Sequence, residues 1–307
     1  MSKLSIILPA KNEAEGLKSF LPRLRKQQPN AEIIVVNDGS TDSTAEVCLA
    51  NGAIVVTHPY SMGNGAAIKS GARHASGDIL IFMDADGQHQ PEDIPNLLKH
   101  LANGYDMAVG ARDGNSQASK ARGFGNHLYN KLASYMTNHQ ILDLTSGFRA
   151  VNAIKFREFL HLLPNGFSYP TTCTMAFFRS GYSVIYEPIN APKRIGKSHL
   201  NITRDGIRFF LIIFKIGTLH SPLKLFLPIS LIFFATGLSY YLYTLVTIGR
   251  FTNMSALLFS TSTIIFLIGL VSEQITSLIY NQNHISLTNY PSLENNLTND
   301  NTRNLIS

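Results

Sequence analysis

Two uncharged apolar runs, close together near the C-terminal end, restrict the architecture of this chain more than any other feature. Leu225 to Ile248 has 24 residues without a charge, and Met254 to Ser272 has 19. At about 1.5 Å of rise per helical residue, the first extends roughly 36 Å, more than the hydrocarbon core of a bilayer. Only Gly249-Arg250-Phe251-Thr252-Asn253 separates the two. They are expected to form a transmembrane hairpin over residues 224–280. A pair of buried core helices is the alternative, but uncharged runs this long are uncommon in soluble domains.

Basic residues predict the orientation. Lys193, Arg194, Lys197, Arg204, Arg208, Lys215 and Lys224 precede the first run, and the connecting loop carries only Arg250. Lys and Arg favour the cytoplasmic side. The N-terminal domain and the Asn-, Ser- and Thr-rich tail over 281–307, expected to be poorly ordered, are therefore both placed there. No apolar stretch near Met1 resembles a signal peptide, so export of the domain is not expected. The net charge of +6 gathers near the apolar runs and suits anionic headgroups and a phosphorylated ligand. No basic stripe with interleaved aromatics marks a nucleic-acid partner. Cys48 and Cys173 have no metal-ligand spacing and read as reduced packing residues.

The N-terminal half alternates short apolar runs with helical patterns. Residues 4–8, 32–36, 53–57, 79–83 and 107–110 read as strands. Residues 13–28, 41–51, 65–75 and 91–103 read as helices, the first with Leu17, Phe20, Leu21 and Leu24 on one face. This order predicts an α/β domain over 1–200 with a mostly parallel sheet covered on both faces. Further on, 120–142 and 150–163 read as helices and 183–188 as a strand. Residues 201–223 form an amphipathic stretch, either an interfacial juxtamembrane helix or a buried connector.

In such sheets ligands gather at the carboxyl ends of the strands, and several polar residues fall there. Asp84-Ala85-Asp86 follows the run Ile79–Met83. Two carboxylates one residue apart suit a hard divalent cation with a diphosphate, or else form a solvated acidic turn. Asp38 leads the turn after the second strand; it can accept from the N–H edge of a nucleobase or cap the next helix. Gly63-Asn64-Gly65 opens a helix, where glycines allow close approach of a ligand and the helix start favours anions. Asp143 is a candidate to orient an acceptor, act as base, or make local loop contacts. Arg149 can bind a phosphate or pair with an acid. Glu273, in the second apolar run, faces the hairpin interior, a neighbouring subunit or the interface.

Taken in order, these pieces resemble glycosyltransferase family 2, with its Rossmann-like GT-A fold. The matching text is Ser5-Ile6-Ile7-Leu8-Pro9-Ala10-Lys11-Asn12-Glu13, Val35-Val36-Asn37-Asp38-Gly39-Ser40-Thr41-Asp42, and Gly77-Asp78 leading to Asp84-Ala85-Asp86-Gly87-Gln88-His89. Ser146-Gly147-Phe148-Arg149 and Arg194-Ile195-Gly196-Lys197-Ser198 are similar to the polyprenyl-phosphate sugar transferases, the dolichol-phosphate mannosyltransferase-like branch. Asn37 and Asn64 depart from that pattern, where an Asp and a Lys are usual. The resemblance implies a nucleotide sugar, UDP- or GDP-linked, as donor and a polyprenyl phosphate as acceptor. By the same resemblance Pro9, Ala10, Asn12, Glu13 and Asp38 hold the nucleoside, with Gly63 and Ala85 beside the donor. Asp84, Asp86 and Gln88 ligate Mg2+ or Mn2+. Arg194, Lys197 and Ser198 form a loop over the phosphates, and Arg149 contacts one.

The implied chemistry is one displacement at the anomeric carbon, which inverts it. Asp86, Asp143 and Arg194 are the candidate catalytic residues. The acceptor phosphate is already anionic near neutral pH, so a strong base is not obligatory. A processive polysaccharide synthase would carry a Gln-x-x-Arg-Trp motif, and this chain has no Trp. A non-catalytic nucleotide-binding scaffold leaves the acidic triplet without purpose, and a nucleotidyltransferase leaves the hairpin unexplained. The sugar and the oligomeric state, including a homo-oligomer, stay open.

Overall fold

Apolar runs of four to seven residues, bounded by turn residues, form the strands of one sheet. The computed structural model describes residues 2–84, 89–112, 120–166, 168–189, 214, 218 and 221–288. It divides into two units, Met1–Ile216 and Gly217–Ser307. In chain order the first unit has β1 (Leu4–Ala10), α1 (Ala14–Gln27), β2 (Glu32–Asn37), α2 (Thr44–Ala50), β3 (Ile54–Thr57) and α3 (Asn64–His74). It continues through β4 (Ile79–Phe82), α4 (Ile94–Ala102), β5 (Met107–Arg112), α5 (Lys120–Thr137), β6 (Arg149–Asn152), α6 (Ala153–Glu158), α7 (Tyr169–Arg179) and β7 (Val184–Ile189).

Among the described residues the strand order is β3-β2-β1-β4-β6-β5-β7. All pairings are parallel except those of β6, which runs antiparallel to β4 and β5. The predicted α/β domain with a mostly parallel sheet is thus what forms. Leu17, Phe20, Leu21 and Leu24 of α1 are the buried face read from their spacing. Burying each such side chain is worth about 1.5–3 kcal/mol. Below the sheet, Glu32 accepts from Ser5 Oγ, Ser76 N and Ser76 Oγ, while Gly77 N donates to Ser5 Oγ. The Gly77-Asp78 pair therefore belongs to this clamp, with Asp78 accepting from Lys3 N. Cys48 and Cys173 are buried free thiols, and burial pushes the Cys48 thiol up to about 11.

Four local expectations are corrected. The helix expected over 41–51 starts only at Thr44, because Asp42 Oδ1 accepts from Thr44 N. The helix expected to reach 142 stops at Thr137, where Asn138 takes φ 58°, a left-handed stop that Asn tolerates. Residues 149–152, read as helix from 150, form β6; Asn152 Oδ1 then caps α6, accepting from Ile154 N and Lys155 N. Helix α7 was not anticipated. Residues 169–177 are buried all round, so no amphipathic stripe marks them.

The second unit holds α8 (Pro222–Ile248) and α9 (Asn253–Thr288). Both are long and apolar enough to cross a membrane. Gly249, at φ 71°, ends α8 by donating to Thr244 O and Leu245 O. A Cβ on Gly269 would lie 2.7 Å from Phe226 Cβ, and one on Gly237 3.0 Å from Leu258 Cβ. Such close packing suits helices that have little hydrophobic drive to associate in lipid. Ser230 Oγ donates to Ser262 O and Ser262 Oγ to Ser230 O, at 3.0 and 2.9 Å. Glu273 Oε2 accepts from Leu223 N at 3.2 Å, so its carboxylate serves the positive end of α8. Helix α9 continues through 281–288, into the segment expected to be unstructured. Residues 289–307 and nearly all of the amphipathic stretch lie outside the described residues.

Candidate active site

The parallel strands deliver their carboxyl ends to one rim. Antiparallel β6 brings its start there as well, since Arg149 pairs with Phe82 and Val109. The rim collects Asn12, Asp38, His58, Asp84, Arg112 and Gly147.

The loops after β1 and β2 are tied together. Asn12 takes φ 55°, donates its N–H to Ser40 Oγ at 3.0 Å and accepts from Thr41 N at 2.9 Å. Glu13 N donates to Thr44 Oγ1, and Ala14 N to Asp42 Oδ2. Pro9, Ala10, Asn12 and Glu13 therefore stand together at one fixed corner.

Asp38, expected to contact a nucleobase, is engaged within the chain. Its side chain is 7% exposed. Oδ1 accepts from His58 Nδ1 and Met62 N, each at 2.7 Å, and Oδ2 accepts from Ser61 Oγ and Gly63 N, each at 2.9 Å. Four donors use the lone-pair sites of a carboxylate. Burial would raise its pKa, but the bonds from His58, Met62, Gly63 and Ser61 hold it below the ordinary range. Asp38 organises the loop 58–63.

Gly63 and Gly65 lie against the chain itself. A Cβ on Gly63 would fall 2.5 Å from Asn165 O, and one on Gly65 2.1 Å from Pro164 O. Ala66 N donates to Asn165 O, and Lys69 Nζ to Leu163 O. The start of α3 is thus covered by backbone carbonyls of residues 163–166, which repel an anion. These glycines admit another stretch of this chain at the start of α3.

Arg149, expected at a phosphate, lies at the start of β6. It is fully buried. Nη1 donates to Pro170 O and Thr174 Oγ1, and Nη2 to Ser146 O. Its Nε has no hydrogen-bond partner among the described residues. It ties α7 to the Ser146-Gly147 turn.

Asp84 sits one residue past Met83 with its side chain 36% exposed. The bare α-carbon of Gly147 faces it: a Cβ there would come within 3.1 Å of Oδ2 and 3.3 Å of Oδ1. An exposed oxygen donor in a cradle that a Cβ would fill fits a hard divalent cation. Among the described residues no group of three or more His, Cys, Asp or Glu gathers as a metal set. Ala85, Asp86 and Gln88, and also Arg194, Lys197 and Ser198, lie outside the described residues.

Asp143 is paired. Oδ2 accepts from Arg112 Nε at 2.8 Å and Oδ1 from Arg112 Nη2 at 3.1 Å, while Thr145 N and Oγ1 add 3.1 Å bonds to Oδ1. Burial pushes the carboxyl up, and the bonds and charge of Arg112 outweigh it, holding it below the ordinary range. A carboxylate so stabilised is a weak base, and its evident work is to aim Arg112. Sequence reasoning missed Arg112, His58 and His89. Arg112 and His58 each sit at or just past the end of an apolar strand, the signal that marked Asp38 and Asp84.

Residues 5–160 match the family described as Glycosyl transferase family 2, and residues 221–278 match the GtrB C-terminal hairpin. The chain belongs to glycosyl transferase family 2 and is a glycosyltransferase. Glycosyltransferase AglJ of Haloferax volcanii is 26% identical over 89% of this chain and 93% of its own length. Undecaprenyl-phosphate mannosyltransferase of Micrococcus luteus is 29% identical over 66% of this chain and 93% of its own length. Undecaprenyl-phosphate 4-deoxy-4-formamido-L-arabinose transferase of Serratia proteamaculans is 33% identical over 56% of this chain, which spans only 58% of that relative. Among solved structures, glucosyl-3-phosphoglycerate synthase from Mycobacterium tuberculosis, in complex with Mn2+, UDP-glucose and phosphoglyceric acid, aligns with a TM-score of 0.57 at 21% identity. It covers 70% of this chain and 79% of its own. That likeness concerns the fold alone.

Proposed function

We propose that this chain moves a sugar from a nucleoside-diphosphate sugar to a polyprenyl phosphate at the cytoplasmic face of a membrane, with inversion at the anomeric carbon. The observation that carries the reading is the placement of Asp84, open against Gly147, and Arg112, aimed by Asp143, on one rim of a chain that also bears the apolar hairpin. The names of the relatives from Micrococcus and Serratia support the lipid phosphate acceptor. The Lys and Arg residues preceding the hairpin support the cytoplasmic face.

An oxygen of the acceptor phosphate attacks the anomeric carbon. The bond from that carbon to the diphosphate breaks, and its electron pair leaves with the nucleoside diphosphate. Asp84, with Asp86 and Gln88 beside it in sequence, would hold a Mg2+ or Mn2+ ion. Such an ion, when bound, supplies positive charge to the departing diphosphate. Arg112 supplies a fixed guanidinium on the same rim. Pro9, Ala10, Asn12 and Glu13 wall the nucleoside corner. Arg194, Lys197 and Ser198 remain the proposed phosphate loop.

The test incubates membranes containing the chain with labelled nucleotide sugars and polyprenyl phosphate. Metal-dependent label in the lipid fraction, lost in Asp84→Ala, is the expected result. Label only in water-soluble product, or transfer undiminished in Asp84→Ala, would overturn the proposal.

A further inference from the structure

We propose that His89 is a positioning residue that sets the carboxylate of Asp84 through a stack of side chains rooted in the sheet. The proposal rests on the reading of Asp84 as the cation and diphosphate anchor. The His89 ring is 3% exposed. Its Nδ1 accepts from Asp84 N at 2.9 Å, so that nitrogen carries its lone pair and the ring proton sits on Nε2. Nε2 in turn lies 3.9 Å from Asp84 Oδ2. The ring therefore meets both the backbone and the carboxylate of the same residue.

The other face of the ring packs on Phe148, with centroids 5.1 Å apart and planes 19° from parallel. Phe148 is fully buried, and a Cβ on Gly110 would come within 2.7 Å of its Cδ1. Glycine inside β5 weakens a strand; here it makes room for the Phe148 ring. Phe148 also directly follows Gly147, whose α-carbon faces the Asp84 carboxylate. Gly110, Phe148 and His89 thus form one column from the sheet to Asp84, and the same segment reaches Asp84 a second time through Gly147.

A phenylalanine at 89 would fill the same space against Phe148. It would leave Asp84 N–H, just past the end of the β4 ladder, without its acceptor. Asparagine would place an oxygen where Nδ1 now stands but would give up the stack. Position 89 thus supplies an acceptor as well as bulk. Residues that support a metal-binding side chain from behind typically change metal affinity 10- to 100-fold when replaced.

The experiment titrates the full chain in detergent with Mn2+ alone and reads the free-ion signal by electron paramagnetic resonance. Asp84→Asn is the reference for loss of the anchor. Leu24→Ala, a cavity in the buried face of α1, is the reference for general destabilisation, and melting temperatures are recorded without metal. His89→Phe is expected to weaken Mn2+ binding about 10- to 100-fold. His89→Asn is expected to restore much of it, and Leu24→Ala to leave it unchanged. Wild-type affinity in His89→Phe beside a clear loss in Asp84→Asn overturns the role of His89 and leaves Asp84 standing. Equal weakening in His89→Phe and Leu24→Ala overturns it also, because the effect is then one of stability. Unchanged affinity in Asp84→Asn overturns both. If His89→Phe does not fold, Gly110→Ala displaces Phe148 from the same column and is expected to weaken Mn2+ binding in the same direction; no change there overturns the proposal.

Discussion

Asp143→Asn isolates the work of the buried pair at the end of β5. The carboxylate receives Arg112 Nε at 2.8 Å and Arg112 N at 3.3 Å on Oδ2, with Arg112 Nη2, Thr145 N and Thr145 Oγ1 on Oδ1, each at 3.1 Å. An asparagine keeps one acceptor. With its oxygen toward Thr145, its NH2 points at Arg112 Nε–H, donor against donor. Breaking a buried pair by removing one partner costs about 3–5 kcal/mol. The Arg112 side chain is 31% exposed, so water recovers part of its solvation, and the expected loss is about 2–3 kcal/mol. For a unit of roughly 200 residues this lowers the melting temperature by about 4–12 °C. The pH dependence has a definite sign. Asp143 is held below its unfolded value of about 3.9, so its contribution is complete above that pH. It is lost as pH falls through the lower folded value. The gap between the melting curves of wild type and Asp143→Asn, recorded from pH 7 down to pH 3, should therefore narrow once the pH falls below about 4. A variant within about 0.5 kcal/mol of wild type at pH 7, or a gap that does not narrow toward low pH, would refute the reasoning.

Other perturbations address the remaining contacts. Gly65→Ala sets a Cβ 2.1 Å from Pro164 O and 2.8 Å from Gly166 O; overpacking of about 1–3 kcal/mol outweighs the helix-propensity gain of up to about 1 kcal/mol. A melting temperature at or above wild type would show that residues 163–166 do not need this glycine. Asp38→Asn removes the charged acceptor shared by His58, Ser61, Met62 and Gly63. Because the Asp38 pKa is lowered in the folded state, its contribution is present above about pH 4 and fades as pH falls through the lowered value. Wild type should lose this margin in acid and the variant should not, as read by melting at stepped pH. In the hairpin, a double-mutant cycle of Ser230→Ala and Ser262→Ala should give a coupling of about 0.6 kcal/mol, the average for such bonds in membranes, in detergent denaturation. A coupling indistinguishable from zero would remove the serine pair from the account of helix association.

The sheet was legible because its strands are short apolar runs closed by turn residues, and α1 because its apolar spacing matches one helical face. The parts that escaped lack a local signal. Helix α7 is apolar all round, and β6 exists because Ala150 and Val151 are held between β4 and β5, a tertiary event invisible in four residues. The site divides along the same line. Asp84 was placed correctly at a strand end by the run that precedes it. Asp38, Gly63 and Arg149 read as ligand contacts because they are polar or bare at the rim. The partners they have within the chain are not legible locally, because they come from far along it: His58 is 20 residues from Asp38, and Asn165 is 96 from Lys69 on the helix that Gly63 opens. Pro170 and Thr174, which enclose Arg149, belong to the helix that was not anticipated.

Asp38, Asp84 and Asp143 look alike in sequence, and the fold has treated each differently. Asp38 is saturated by four donors and Asp143 is balanced by the guanidinium of Arg112. Of these three, Asp84 alone keeps a third of its side chain open to solvent, facing a glycine. His89 Nδ1 accepts from the backbone N–H of the same residue. The described part of the rim therefore offers a diphosphate a net negative corner at Asp84 and a neutral pair at Arg112 and Asp143. Like charges a few ångströms apart repel strongly in a partly desolvated cleft. A diphosphate beside Asp84 would need positive charge brought to that place, as a divalent cation on the carboxylate would bring it. Under the proposed function, a nucleoside diphosphate should therefore bind far more weakly without divalent metal than with it, and Asp84→Asn should narrow that difference by weakening the metal-bound state while relieving the repulsion in its absence.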